Sequence, residues 1–255
     1  MSQDHIFDLN AHKDPDNEIF RYFSTDLILD AIPNGSYVLD CGAGDGAVAF
    51  PLAYKKHCRV VCLDEKTERL ENIERNKNGL HISTREGNVN KLPFSDNEFD
   101  AVFSRMLLSH IPDWKHVLRE KLRVCRPSGI VVFQHISLER YEFCLEHALS
   151  EEHAKEIRKG FRKGRSRASQ KEVIEFCKVE GVELVQLHPL THFLATGLVY
   201  KTHMDAGEIE EFTKTIRSHL RNPEVYKFVR WFEREVVPKL PQEFSEMIFA
   251  VIRKK

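Results

Sequence analysis

Two carboxylates and a run of glycines carry the first chemical signal in the chain. Val38-Leu39-Asp40-Cys41-Gly42-Ala43-Gly44-Asp45-Gly46 stands where an apolar run hands over to a helical pattern, and Asp64 ends the next apolar run, Arg59-Val60-Val61-Cys62-Leu63. Gly42 and Gly44 let the backbone approach a ligand closely and adopt dihedrals closed to other residues, while the helix beyond them presents N–H groups. A nucleotide-like ligand suits that loop. Gly42-x-Gly44-x-x-Ala47 also satisfies the relaxed dinucleotide fingerprint, so the loop alone leaves two ligands open. Asp40 separates them, because an anion aimed into the site attracts the ammonium of an amino-acid-bearing ligand and repels a pyrophosphate. Asp64 suits either ligand, since a carboxylate there accepts from both hydroxyls of a ribose, each charge-assisted bond contributing ~1.5–3 kcal/mol. It also suits a cap for the helix beginning near Lys66. Downstream, Asn88 stands at a strand end where it reaches an adenine amino group, with Val89 and Leu92 to cover the ring face.

These residues need elements to hold them. Tyr37 to Asp40, Arg59 to Leu63, His81 to Glu86, Phe99 to Phe103 and Gly129 to Phe133 read as five strands, separated by helices over Gly46 to Lys56, Lys66 to Asn78 and Asp113 to Val124. Gly79 is the expected left-handed terminator of the second helix and Asp113 the cap of the third. Continuous apolar strands alternating with helices imply a parallel sheet covered on both faces. After Ile136 the pattern predicts one long helix over Leu138 to Lys159, then a helix opened by a capping box at Ser169 and Glu172 and closed at Gly181. A sixth strand follows over Val182 to Leu187, helices over Asp205 to Leu220 and Pro223 to Val237, and a last strand over Met247 to Ile252.

The ordered motifs LDCGAGDG at 39–46, VVCLD at 60–64, GNVNKLPFSDNEFDAV at 87–102, SRMLLSHIPD at 104–113 and LRVCRPSGIVVF at 122–133 span about 100 residues. On them the chain resembles the class I S-adenosylmethionine-dependent methyltransferases, in particular the small-molecule type grouped with the ubiquinone and menaquinone methyltransferases. The resemblance implies a Rossmann-like, doubly wound α/β fold whose seven-stranded sheet ends in an antiparallel strand, here EMIFAVIRK. It implies S-adenosyl-L-methionine as cofactor. Asp40, Gly42, Ala43 and Gly44 would hold its methionine part, Asp64 and Glu65 the ribose edge, Asn88 and Val89 the adenine, and Ser104 and Arg105 the floor beside the sulfonium. The family more often has Asp where this chain has Asn88; the amide keeps an acceptor.

Methyl transfer is an in-line displacement that rests mainly on positioning, and a hydroxyl acceptor also needs a proton acceptor. Candidates belong at the carboxyl ends of strands. His110 follows the fourth strand and His135 ends the fifth, facing the same crevice; each equally suits a structural histidine. Tyr22, Phe23, Tyr141, His188 and His192 are further pocket-lining candidates. The expected organisation is a single domain over 1–255, with an N-terminal helical segment to residue 35, a cofactor-binding core over 36–136, and insertions over 137–169 and 191–243 forming a helical substrate cap. A dimer interface is the competing use of those insertions, so monomer and homodimer both remain open.

There is no Asn/Asp-Pro-Pro-Tyr/Phe run, no Pro-Cys nucleophile and no paired-glutamate loop, which leaves a small molecule or peptide as acceptor. The six cysteines show no metal-type spacing with histidine and read as reduced core thiols; no metal is expected. With 38 Lys+Arg against 39 Asp+Glu, the net charge of -1 argues against a surface built wholly to grip nucleic acid or membrane. No run of 18 apolar residues exists and the first twenty residues carry four aspartates, so a cytoplasmic protein is expected. Neutrality is nevertheless an average. Eight basic residues and one acid lie between Lys155 and Lys171, a local +7 against -8 in the rest. A solvated face explains such a run, while its place on the cap makes an anionic substrate group the partner to test. Two rival functions remain open: an RNA or peptide methyltransferase using this segment, and a non-catalytic cofactor-binding partner protein.

Overall fold

Continuous apolar runs become buried strands. The computed structural model describes residues 25–160, 166–190, 206–220 and 222–255. Strands β1 (Tyr37–Cys41), β2 (Arg59–Asp64), β3 (Ile82–Glu86), β4 (Phe99–Ser104), β5 (Cys125–Ile136), β6 (Glu183–Leu190) and β7 (Met247–Arg253) form a seven-stranded sheet in the order β3-β2-β1-β4-β5-β7-β6. The first five run parallel, and β7 lies antiparallel between β5 and β6. This is the Rossmann-like arrangement expected. The order reverses between β1 and β4, which opens a crevice at the carboxyl ends of those strands.

Successive strand residues point to opposite faces, so β1 feeds two cores. Val38 packs with Val60 and Phe103 beneath α1 (25–31), α2 (Ala49–Lys55) and α3 (Thr67–Asn76), through Ile28, Leu52 and Ile73. Leu39 packs on the other side with Val102 and Val131 against α4 (Trp114–Val124) and α7 (Gln170–Val179), through Val117, Leu118 and Phe176. Helix ends follow their local signals. Asp113 accepts from the His116 amide at 3.0 Å to start α4, and Ser169 and Glu172 form the reciprocal capping box of α7.

Three expectations change. The single helix over Leu138 to Lys159 is two, α5 (Leu138–Glu146) and α6 (Glu151–Gly160). The His147 amide and Nδ1 both turn back to the Phe143 carbonyl at 3.0 Å, and Ser150 Oγ accepts from the His153 amide at 3.1 Å as a new N-cap. α2 starts at Ala49 rather than Gly46, because Gly46 sits at φ +78°, outside the helical region. Of the two C-terminal helices, α8 (Ala206–Leu220) ends as expected, but α9 (Pro223–Trp231) stops early and passes into a π turn, Phe232–Val236, ahead of Pro238, which has no amide to continue the ladder.

The chain enters both insertions, and leaves the second, at the carboxyl edge. Ile136 at the end of β5 pairs with Met247 at the start of β7, and Leu190 at the end of β6 pairs with the same residue, so chain leaves and re-enters the sheet on that side. The insertions also meet where Arg140 donates to the Glu243 carbonyl at 3.2 Å, and next to them Gln170 Nε2 of α7 donates to Gln242 Oε1 at 2.8 Å and the Phe143 and Phe244 rings lie 5.6 Å apart. Arg230 and Arg234 tie the second insertion to Asp26 and Asp30 of α1. Among the described residues no helix is long and apolar enough to cross a membrane.

Candidate cofactor and active site

The glycine loop closes onto the end of β2. Gly42 and Ala43 donate to the Leu63 carbonyl at 2.8 and 3.0 Å, with Gly42 at φ +72° and Gly44 at φ +55°. A Cβ on Gly42 would stand 2.9 Å from Leu107 Cδ1, so the loop after β4 lies directly on it. In that loop Met106 adopts φ +56°, a conformation costing a non-glycine residue ~1–2 kcal/mol and held here by packing against the α1 face of the core.

Asp40 is 3% exposed. Burial pushes its carboxyl up to about 7, with Arg105 and Lys121 opposing and Asp64 reinforcing the shift. Asp64 is buried as well, but its lone pairs are partly used: Oδ1 accepts from the Lys66 amide and Oδ2 from the Gly44 amide, both at 3.0 Å, and Arg69 Nη1 lies 3.7 Å from Oδ2. The helix-cap role and the ligand role therefore coexist, since two carboxylate oxygens offer about four acceptor sites. Glu65 beside it is exposed.

The adenine candidates differ from expectation. Asn88 is exposed, and its Oδ1 accepts from the Asn90 amide at 2.7 Å and from Asn90 Nδ2 at 2.9 Å, which occupies the acceptor. Val89 and Leu92 are buried in the core with Leu39 and Leu63, leaving little more than their edges for a ring. Their loop is clamped by one face of α4, through residues spaced i, i+4 and i+7. His116 Nε2 meets the Asn90 carbonyl at 2.7 Å, Glu120 Oε2 accepts from the Leu92 amide at 2.8 Å, and Arg123 donates to the Leu92 and Phe94 carbonyls at 3.0 and 2.9 Å. Arg123 also bonds Glu120 at 2.8 and 2.9 Å and Asp96 at 2.8 Å, which holds Glu120 below the usual carboxylate range and Arg123 above its own. Sequence reasoning missed this clamp, although the polar spacing on an amphipathic helix is its signal.

Ser104 is buried at the end of β4, and its hydroxyl accepts from Lys121 Nζ of α4, also fully buried; burial pulls that ammonium down to about 8. Lys121 was likewise missed. It occupies a position in α4 where the apolar spacing of Trp114, Val117, Leu118 and Leu122 calls for a hydrophobe. Arg105 is half-buried at the rim.

The two histidines separate. His110 is exposed on a 3₁₀ turn, Leu108–His110, in the loop after β4. His135 is buried at the end of β5: it is 0% exposed, its ring meets Trp114 edge-on at 5.3 Å, and Nε2 lies 3.3 Å from Ser166 Oγ. Burial pulls its imidazole down to about 4, so it is neutral at physiological pH. Trp114 of α4 and Ser166 lie against it. His188 packs on Phe249 at 5.1 Å, and Tyr141 carries the Arg167 guanidinium 4.1 Å above its ring. Tyr22, Phe23 and His192 lie outside the described residues, as does Asp205. The six cysteines are free thiols, five of them buried.

A doubly wound sheet with a glycine loop, buried carboxylates at the ends of β1 and β2, and a loop laid on that glycine loop define an α/β protein of the Rossmann-like kind. The family model described as a methyltransferase domain matches residues 39–133, from within β1 to within β5. A demethylmenaquinone methyltransferase of Bacillus cereus is 37% identical over 110 residues, 41% of this chain and 46% of that protein. An uncharacterized protein of Mycobacterium tuberculosis is 36% identical over 99 residues, 38% of this chain and 36% of that protein. These matches thus span less than half the length of either relative. A SAM-dependent methyltransferase of Thermotoga maritima superimposes with a TM-score of 0.58 at 16% identity, over 98% of this chain and 99% of that one. The Haloferax volcanii chain solved with the Trm112 methyltransferase activator does so with a TM-score of 0.60 at 18% identity, over 97% and 96%. Both share the fold.

Proposed function

We propose that this chain is a cytoplasmic S-adenosylmethionine-dependent methyltransferase that methylates an oxygen or nitrogen of a small metabolite. The carrying observation is the pair of buried carboxylates, Asp40 and Asp64, flanking a left-handed glycine loop inside the matched segment. The fit to the cofactor is good at this end: a buried anion with few hydrogen-bond partners suits an ammonium, and a carboxylate fixed by two backbone amides suits two ribose hydroxyls. The name of the Bacillus cereus relative supports a small-molecule acceptor.

Bound S-adenosylmethionine supplies an electrophilic methyl group on sulfur. Asp40 would accept from its ammonium, Asp64 would hold the ribose, and Asn88 would meet the adenine edge through its amide nitrogen, while the clamp of α4 keeps that loop in place. Ser104 and Arg105 form the floor. Holding the acceptor in line at near-attack distance is worth ~7–11 kcal/mol, and the cap formed by the two insertions excludes water above it. His110, exposed at the rim, takes the proton of a hydroxyl acceptor; an amine losing its proton on desolvation does without it.

Isothermal calorimetry with S-adenosylmethionine and S-adenosylhomocysteine tests this reading: binding to the folded protein is expected, and its absence at saturating ligand would sink it. An RNA or peptide acceptor is favoured by one observation. Ser166, where the basic segment re-enters, donates to the Leu108 and Ser109 carbonyls at 2.8 and 3.0 Å, beside His110. Strongly salt-sensitive RNA binding would shift the choice to that acceptor.

A further inference from the structure

The mechanism above makes no use of Lys121. α4 runs from the carboxyl edge of the sheet toward the start of β5, and side chains on a helix lean toward its N-terminus, so the four-carbon stem carries the ammonium back up to the carboxyl edge. There Nζ donates to Ser104 Oγ, and both groups are fully buried. Ser104 follows Phe103, the residue paired with Asp40 across β1 and β4. A neutral hydroxyl satisfies one of three ammonium protons and none of its charge. Cys41 and Asp40 both act on the lysine, and Asp40, buried and paired with the residue before Ser104, is the one of the two that carries a carboxylate.

We propose that Lys121 is a positioning residue of the cofactor site, a buried counter-charge that keeps Asp40 ionised for the ammonium of the cofactor. The proposal rests on the reading that Asp40 receives that ammonium. The groups that bear on Asp40 are Arg105 from the loop after β4, Lys121 from α4, Asp64 and Cys62 from β2, and Cys41 beside it on β1; Lys121 also acts on His135 of β5. Burial pushes the Cys41 thiol up to about 12 and the Cys62 thiol well above its ordinary value, and holds His135 neutral, so none of the three changes charge near neutrality. Arg105 stays charged throughout. Asp40, at about 7, and Lys121, at about 8, are left to set the pH dependence.

The test is calorimetric affinity for S-adenosylhomocysteine between about pH 6 and pH 8.5 in the wild-type chain, Lys121→Met, Lys121→Gln and Asp40→Asn. Removing the ammonium raises the midpoint of Asp40, and each unit of rise costs about tenfold in affinity below it. Lys121→Met is therefore expected to bind about tenfold more weakly than wild type near pH 6 and to converge with it near pH 8.5, where Asp40 ionises in both and the wild-type lysine is losing its proton. Lys121→Gln, which keeps a donor for Ser104 without the charge, shows the same loss. A ratio to wild type that is constant across pH, or low-pH affinity restored by Gln, would overturn the counter-charge role. If Asp40→Asn binds as wild type does at every pH, the assignment of Asp40 is what has failed, and the proposal goes with it.

Discussion

Asp40 and Asp64 sit equally deep at the ends of adjacent strands, yet their surroundings give them different work. Asp64 is fixed by two amides and points spare lone pairs outward; Asp64→Ala is expected to weaken S-adenosylhomocysteine binding on the order of 10–100-fold, as two charge-assisted bonds are lost. The melting temperature should fall measurably but the chain should stay folded, because the variant loses two cap-like contacts, each worth ~0.5–2 kcal/mol. Calorimetry and a thermal melt on the same sample check both. Asp40 is the opposite case. Its folded carboxyl titrates at about 7 against 3.8 when unfolded, so the unfolded chain gives up its proton first as pH rises; the stability tied to this group is present below about pH 3.8 and lost as pH rises through about 7. Asp40→Asn should therefore melt higher than wild type at pH 8 and lose that advantage near pH 4. His135 has the reverse sign. Its imidazole stays neutral to about pH 4 while an unfolded one protonates near 6.5, so its contribution is present above about 6.5 and lost as pH falls toward 4. Melts of His135→Phe against wild type across that window should show the acid loss removed.

At the scale of elements, the cofactor loops are held by neighbours distant in sequence. Arg123, Glu120 and His116 fasten the loop after β3 from α4, so Arg123→Met is expected to speed amide exchange across residues 88–96 and to weaken S-adenosylhomocysteine about five- to tenfold, since hydrogen bonds of a charged group to two carbonyls contribute ~1.5–3 kcal/mol each. Exchange measured by mass spectrometry checks the first and calorimetry the second. The strands, the caps at Asp113 and Ser169 and the handover from β1 to α2 were legible in the sequence because each depends on residues close in the chain: apolar runs, a capping box, a glycine. The break at 147–150 was legible too, in Ser150 followed by Glu151 and Glu152, but the continuous helical spacing on both sides masked it. What could not be read was the use of Asn88. Its oxygen is captured by Asn90 two residues on, a local competition that the side chain's identity does not reveal.

At the scale of the whole molecule, the near-zero charge conceals a basic stretch whose return point, Ser166, is bonded to the rim of the crevice. Reversing charge at Lys163 and Arg165 together is expected to leave S-adenosylhomocysteine affinity within about twofold while raising KM for an anionic acceptor severalfold at low salt, a difference that shrinks near 0.5 M salt because a Debye length of a few Å screens it. Steady-state kinetics at two ionic strengths checks it. An unchanged KM would assign the segment to a solvated face. The two insertions and α1 are joined by Arg140, Arg230 and Arg234, so the side of the sheet that bears the site is also the side on which the added helices meet.

The amino-acid sequence by itself determined the alternation of strands and helices, the glycine loop and the carboxylates at the ends of β1 and β2, since periodicity and turn chemistry act over a few residues. Tertiary structure decided which polar groups are buried and against what. Lys121 looks like one more charge on a helix until α4 docks and drives it under the crevice beside Ser104, and His135 looks like a base until Trp114 and Ser166 enclose it. Burial sets the charge of both, and burial is a property of elements brought together from far apart in the chain.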